Sequence, residues 1–134
     1  MQLKNNLIFI VDDDDDDRFM LWQAFQKNQP RCLLFTFSDG QELLDHLSDY
    51  YDVPDLIILD QDMPVMDGFA TLKRLKKSSR LRSIPTVILG SSLAPGENRG
   101  GNESGADALL IKPTRYSELV QLASRLCPAN RSYS

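Results

Sequence analysis

The sequence predicts an α/β protein built on a five-stranded parallel sheet with helices on both faces. Three observations carry that expectation. Short apolar runs rich in branched residues alternate with helix-patterned stretches along the whole chain. The runs are apolar throughout rather than at every second position, as in strands buried on both faces. Five such β–α units in succession imply right-handed crossovers between parallel strands. The length of 134 residues suits one domain with a core large enough to be stable alone.

The first strand is expected over Leu7–Val11, a short apolar run. A helix is expected from Asp16 to about Asn28, with an apolar face made by Phe19 with Trp22 and by Leu21 with Phe25. Acids at its start suit the positive end of the helix dipole. Cys32–Phe37 reads as the second strand. Asp39-Gly40 is a turn, where Ser38 with Gln41, or Asp39 with Glu42, can form a capping box. The helix that follows, to about Asp49, turns Leu43, Leu44 and Leu47 inward. After the break at Pro54 comes a third strand, Leu56–Leu59, and then a helix over Gly68–Lys77 on Phe69, Leu72 and Leu75. Pro85 precedes a fourth strand, Thr86–Leu89. A fifth spans Ala108–Ile111, and a last helix spans Ser117–Leu126 on Leu119, Leu122 and Leu126. Between the last two strands "SSLAPGENRGGNESGA" holds one proline and four glycines where a helix is due. Its helix propensity is poor, so an irregular connection is expected there.

The chain is 42% hydrophobic and 25% charged, an ordinary balance for a soluble globular protein. A net charge of −4 repels nucleic acid rather than recruiting it. The basic cluster Lys73, Arg74, Lys76, Lys77, Arg80 and Arg82 reads as a solvated helix end, because no aromatics or nucleic-acid motif accompany it. No apolar stretch approaches the roughly 20 residues that span a bilayer. The first six residues lack the pattern of a secretory signal. Cys32 and Cys127 have no CxxC spacing and read as free thiols of a reducing compartment, so a cytoplasmic protein is expected.

In parallel α/β sheets, functional residues gather at the carboxyl ends of the strands. Here those ends carry Asp12 and Asp13, Asp60, Gly90 with Ser91, and Lys112-Pro113. If the first and third strands are neighbours, three carboxylates converge. They cannot all stay ionised cheaply without a cation. Hard oxygen ligands suit Mg²⁺, and Lys112 adds a positive charge matched to a phosphoryl oxygen. That constellation predicts phosphoryl chemistry, with Asp60 as the nucleophile that becomes an acyl phosphate. The six consecutive aspartates therefore divide: Asp12 and Asp13 as the metal pair, Asp14 and Asp15 as a turn, Asp16 and Asp17 as first-turn helix acids.

From Asn6 to about Leu126 the chain resembles the receiver domain of bacterial two-component response regulators. The likeness rests on "IFIVDDD", "LIILDQDMPVMDG", "SIPTVIL" and "GADALLIKP". It implies a doubly wound, flavodoxin-like sheet of order 2-1-3-4-5, with a domain over 1–127 and a tail over 128–134. It also implies a cis Lys112–Pro113 bond and Mg²⁺ held by Asp13, Asp60 and the Asp62 backbone carbonyl, with Asp12 acting through water. Asp60 would be the phosphoacceptor and Lys112 the phosphate-binding cation. The phosphoryl group would come from a sensor histidine kinase or a histidine phosphotransfer protein. With no output domain in this length, the signal would leave through a downstream protein target, with no nucleic acid or membrane involved.

Two positions depart from that pattern. Receivers usually carry Ser or Thr where Gly90 stands, and an aromatic residue where Leu109 stands. Phosphoacceptance, resting on the acids and Lys112, is expected to survive, while the usual switch groups are missing. Ser91, one residue on, can supply the hydroxyl with help from the backbone freedom of Gly90. Two other functions stay open. One is a receiver-like interaction module that is never phosphorylated. The other is an Asp-nucleophile phosphatase of the haloacid-dehalogenase kind, although Pro64 stands where that motif has Thr or Val. An EF-hand reading fails, because Asp17 and Gln23 occupy its glycine and glutamate positions. His46, the single histidine, falls within the second helix and is expected to be a surface or boundary residue rather than a phosphohistidine site.

Overall fold

The computed structural model describes residues 6–28, 31–91 and 105–127. Five parallel strands form one sheet in the order β2-β1-β3-β4-β5. They are β1 (Asn6–Val11), β2 (Cys32–Phe37), β3 (Leu56–Asp60), β4 (Thr86–Gly90) and β5 (Ala108–Ile111). The helices are α1 (Asp15–Asn28), α2 (Gly40–Asp49), α3 (Gly68–Lys76) and α4 (Tyr116–Leu126). The glycine-rich connection after Ser91 and the tail over 128–134 lie outside the described residues.

Alternation along the strands sorts the core into two layers. Ile8, Ile10, Leu56, Ile58, Val87 and Leu89 face α1 and α4. Phe9, Val11, Ile57, Leu59 and Ile88 face the other way, against Leu43, Leu47, Leu72 and Leu75 of α2 and α3. The three central strands are thus buried on both faces, which is why they read as continuous apolar runs. Fully burying one such Leu or Phe contributes about 1.5–3 kcal/mol.

The apolar face of α1 differs from the expected one. Leu21, Ala24 and Phe25 are buried, whereas Phe19 and Trp22 are 56% and 38% exposed and stack on each other outside. At α2 the expected capping pair is half right. Asp39 accepts from the Glu42 amide at 2.7 Å, but Glu42 reaches back to Ser38, whose amide donates at 3.2 Å and hydroxyl at 3.0 Å. Two aspartates clamp strand starts in the same way. Asp55 accepts from the Leu7 amide at 2.8 Å and donates its own amide to the Leu7 carbonyl. Asp107 does the same to Thr86, at 2.7 Å and 2.8 Å.

Candidate functional site

Register brings the strand ends together. Val11 pairs with Leu59, Asp60 with Leu89, and Gly90 with Ile111. One step further along, Asp12 stands beside Asp60, and Lys112 beside Ser91. The Lys112 amide donates to the Gly90 carbonyl at 2.7 Å, and the Gln61 amide to Leu89 at 2.7 Å, so the ladder runs to the edge of the site.

The loop after β3 returns under tight constraint. The Gly68 amide donates to the Gln61 carbonyl at 3.0 Å. A Cβ on Gly68 would meet the Asp60 carbonyl oxygen at 2.6 Å, so only glycine lets α3 start this close to the acid. Asp67 then caps α3, accepting from the Ala70 amide at 2.8 Å.

Carboxylate oxygens of Asp12, Asp13 and Asp60 all lie within 4.8 Å of one another. Asp12 and Asp60 are buried, at 1% and 7% exposure, and Asp13 is exposed. Lys112 Nζ reaches Asp12 Oδ2 at 2.8 Å and Asp60 Oδ1 at 3.2 Å. Burial, then the neighbouring Asp12 charge, pushes Asp60 up to about 6 against the pull of Lys112. Burial also raises Asp12, partly offset by its hydrogen bonds from Lys112 and the Asp14 amide. For Lys112, burial works downward, but the hydrogen bond and charge of Asp12 and the charge of Asp60 outweigh it and hold the ammonium protonated. One ammonium thus faces a surplus of carboxylate in a sheltered place. An all-oxygen donor set with uncompensated negative charge fits a divalent cation such as Mg²⁺.

The remaining expected residues sit around this cluster. Asp62 and Ser91 are exposed, with Ser91 Oγ 3.4 Å from Asp62 Oδ2. Ser91 and Lys112 share a cavity of about 300 Å³ with Asp17, Met20, Pro113 and Leu119. Gly90 is the last residue of β4 and is buried, while Leu109 is half-buried and packs on the α2–α3 side of the core. The Lys112–Pro113 bond is trans, since no cis peptide occurs among the described residues, contrary to expectation. His46 is a boundary residue as expected, stacked on Tyr50 and edge-on to Phe9 and Phe37.

Two residues of the site escaped the sequence reading. Asp17 was expected to be only a first-turn helix acid, yet its Oδ2 lies 3.2 Å from Lys112 Nζ. Arg18 donates to the Asp12 carbonyl at 2.6 Å and pairs with Asp15. The helix starts one residue earlier than expected, at Asp15, and Asp14 accepts from the Asp17 amide at 2.9 Å. The available signal was the tilt of helical side chains toward the N-terminus, which aims residue 17 back over the strand end.

Comparison with known proteins agrees with this geometry. The two-component response regulator ORR3 of Oryza sativa subsp. japonica is 36% identical over 119 residues, covering 89% of this chain and 88% of its own. ORR11 of the same subspecies is 34% identical over 121 residues, covering 90% and 80%. Among solved structures, the phosphorylated cyanobacterial phytochrome response regulator RcpA superposes with a TM-score of 0.81 at 26% identity, covering 89% of each chain. Chemotaxis response regulator CheY4 of Vibrio cholerae gives 0.77 at 28%, covering 91% and 98%. The family model described as "Response regulator receiver domain" matches residues 8–124. With sheet order, acid cluster and family match in agreement, the chain belongs to the receiver domains of response regulators.

Proposed function

We propose that this receiver accepts one phosphoryl group on Asp60, in a Mg²⁺-dependent reaction, from the phosphohistidine of a sensor histidine kinase or a histidine phosphotransfer protein. The observation that carries the reading is the placement of Asp60 Oδ1 at 3.2 Å from Lys112 Nζ, beside the carboxylates of Asp12 and Asp13. A carboxylate oxygen of Asp60 attacks phosphorus, the P–N bond to the donor imidazole breaks, and the imidazole leaves with its electron pair. Lys112 follows the charge that builds on the phosphoryl oxygens. Asp13, Asp60 and the Asp62 backbone carbonyl would hold Mg²⁺, with Asp12 acting through water, and the ion would offset charge on the transferring group. The relative RcpA was solved in a phosphorylated form, which supports the same chemistry here.

The chain then acts as a stoichiometric acceptor in a phosphorelay, not a turnover enzyme, and passes its signal to a protein target in the cytoplasm. No helix among the described residues is long and apolar enough to cross a membrane. Ser91 substitutes for the hydroxyl that Gly90 lacks, and the Leu109 position works without an aromatic ring. The cavity that Ser91 shares with Lys112 supports that substitution. The test is intact-mass spectrometry after incubation with a small phosphodonor and Mg²⁺. One phosphoryl adduct is expected on the parent and none on Asp60→Asn. Persistent labelling of that variant would overturn the assignment. Continuous turnover of a phosphomonoester would favour a phosphatase. If Ser91→Ala is labelled and reaches the activated conformation like the parent, the substitute-hydroxyl role is wrong.

A further inference from the structure

We propose that Cys32 and Cys127 close a reversible disulfide that ties the first residue of β2 to the C-terminal cap of α4, an oxidation-sensitive site separate from the carboxylate cluster. The chain holds two cysteines, 95 residues apart, and the fold sets their sulfurs 3.0 Å from each other. That is about 1 Å beyond the S–S bond length of ~2.05 Å, so a small side-chain rotation closes the gap. Both thiols are buried, at 3% and 1% exposure, in one apolar cluster with Leu21, Phe25, Leu122 and Leu126. Their backbones are fixed on each side. Cys32 stands in register with Asn6 on β1, and the Cys127 amide donates to the Ala123 carbonyl at 2.9 Å.

The pair lies at the opposite end of the sheet from the acids, since Cys32 begins β2 while Asp12 follows the end of β1. Its chemistry is independent of phosphorylation. With hydrogen peroxide, one thiol sulfur takes an oxygen as the O–O bond breaks and water leaves. The second sulfur then attacks the sulfenic sulfur, the S–O bond breaks, and a second water departs with the remaining thiol proton. Two thiols are oxidised and one peroxide is reduced. A small-molecule disulfide gives the same product by two exchanges, releasing two equivalents of its thiol. Burial, then the contact with Cys127, pushes the Cys32 thiol up to about 12. Cys32 therefore stays protonated at neutral pH, and closure is slow compared with an exposed reactive cysteine.

The bond would close a loop from β2 to the end of α4, leaving β1 and α1 outside it, and fasten α4 to the sheet edge. The experiment uses the full chain, treated with hydrogen peroxide or oxidised glutathione, quenched by alkylation and mapped without reduction. Expected are an intact mass lower by two hydrogens, a cross-linked peptide pair containing Cys32 and Cys127, and a thermal midpoint higher by roughly 10 °C that dithiothreitol reverses. Cys32→Ala and Cys127→Ala should each abolish the cross-link and the rise, and either variant serves if the other folds poorly. Oxygen gained at the cysteines without a cross-link, dimers joined between chains, or both thiols still alkylatable on opening after oxidant would overturn the proposal. So would a cross-link that leaves the midpoint unchanged or lower, because the bond would then not match the folded geometry.

Discussion

Asp60→Asn should stabilise the metal-free fold, and by an amount that depends on pH. Asp60 titrates at about 6 in the folded chain against an ordinary 3.8, chiefly because it is buried and faces Asp12. The fold therefore prefers the neutral carboxyl. Below pH 3.8 the group is protonated in folded and unfolded chains alike, and there is no penalty. Between 3.8 and about 6 the unfolded chain ionises first, and above about 6 the folded chain carries the full cost of an anion it holds poorly. At about 1.4 kcal/mol per pH unit, that cost is about 3 kcal/mol at most. Asparagine is neutral at every pH and removes it, keeping the shape and leaving Lys112 paired with Asp12 and Asp17. Urea denaturation in the presence of a chelator should show a gain of roughly 1–3 kcal/mol near pH 7.5, shrinking toward zero near pH 4. A variant no more stable than the parent near pH 7.5, or a gain that persists near pH 4, would refute the claim that crowding and burial strain this carboxylate.

The proposed Mg²⁺ site carries a pH prediction of its own. If Mg²⁺ binds Asp60 as proposed, it displaces that proton, so calorimetric affinity should level off above about pH 6 and fall by up to about tenfold per pH unit below it; a pH-independent affinity would contradict this. Gly68→Ala should cost roughly 1–3 kcal/mol in denaturation, because its Cβ meets two immovable backbone neighbours, Asp60 O at 2.6 Å and Gln61 Cα at 3.1 Å. An unchanged stability there would mean the α3 start yields more easily than this packing allows.

The sheet was the most legible part of the sequence. β2 and β5 begin and end where their apolar runs do. β1, β3 and β4 each extend one residue beyond theirs, to Asn6, Asp60 and Gly90. Strand ends follow backbone pairing, such as Asp60 with Leu89, and a polar side chain or a glycine does not interrupt that ladder. The convergence of Asp12, Asp13, Asp60 and Lys112 was legible for the same reason, because parallel strands deliver their last residues to one edge. The face of α1 was not. Phe19, Leu21, Trp22 and Phe25 offer more than one helical stripe, and the choice between them belongs to the packing of α1 against α4. Nor could local spacing reveal that Asp17 meets Lys112, a partner 95 residues away, or that the two cysteines touch.

The outward Phe19–Trp22 stack has a practical consequence. Trp22 is the chain's single tryptophan, and it shares a shallow cavity with Asp15, Arg18, Phe19 and Thr36. Arg18, one turn before it, holds the carbonyl of Asp12. One indole chromophore therefore stands a single helical turn from Arg18, the residue that holds the Asp12 carbonyl, partly in water and free of overlapping tryptophan emission. The domain carries its own fluorescent probe, on the helix that grows directly out of its acidic run.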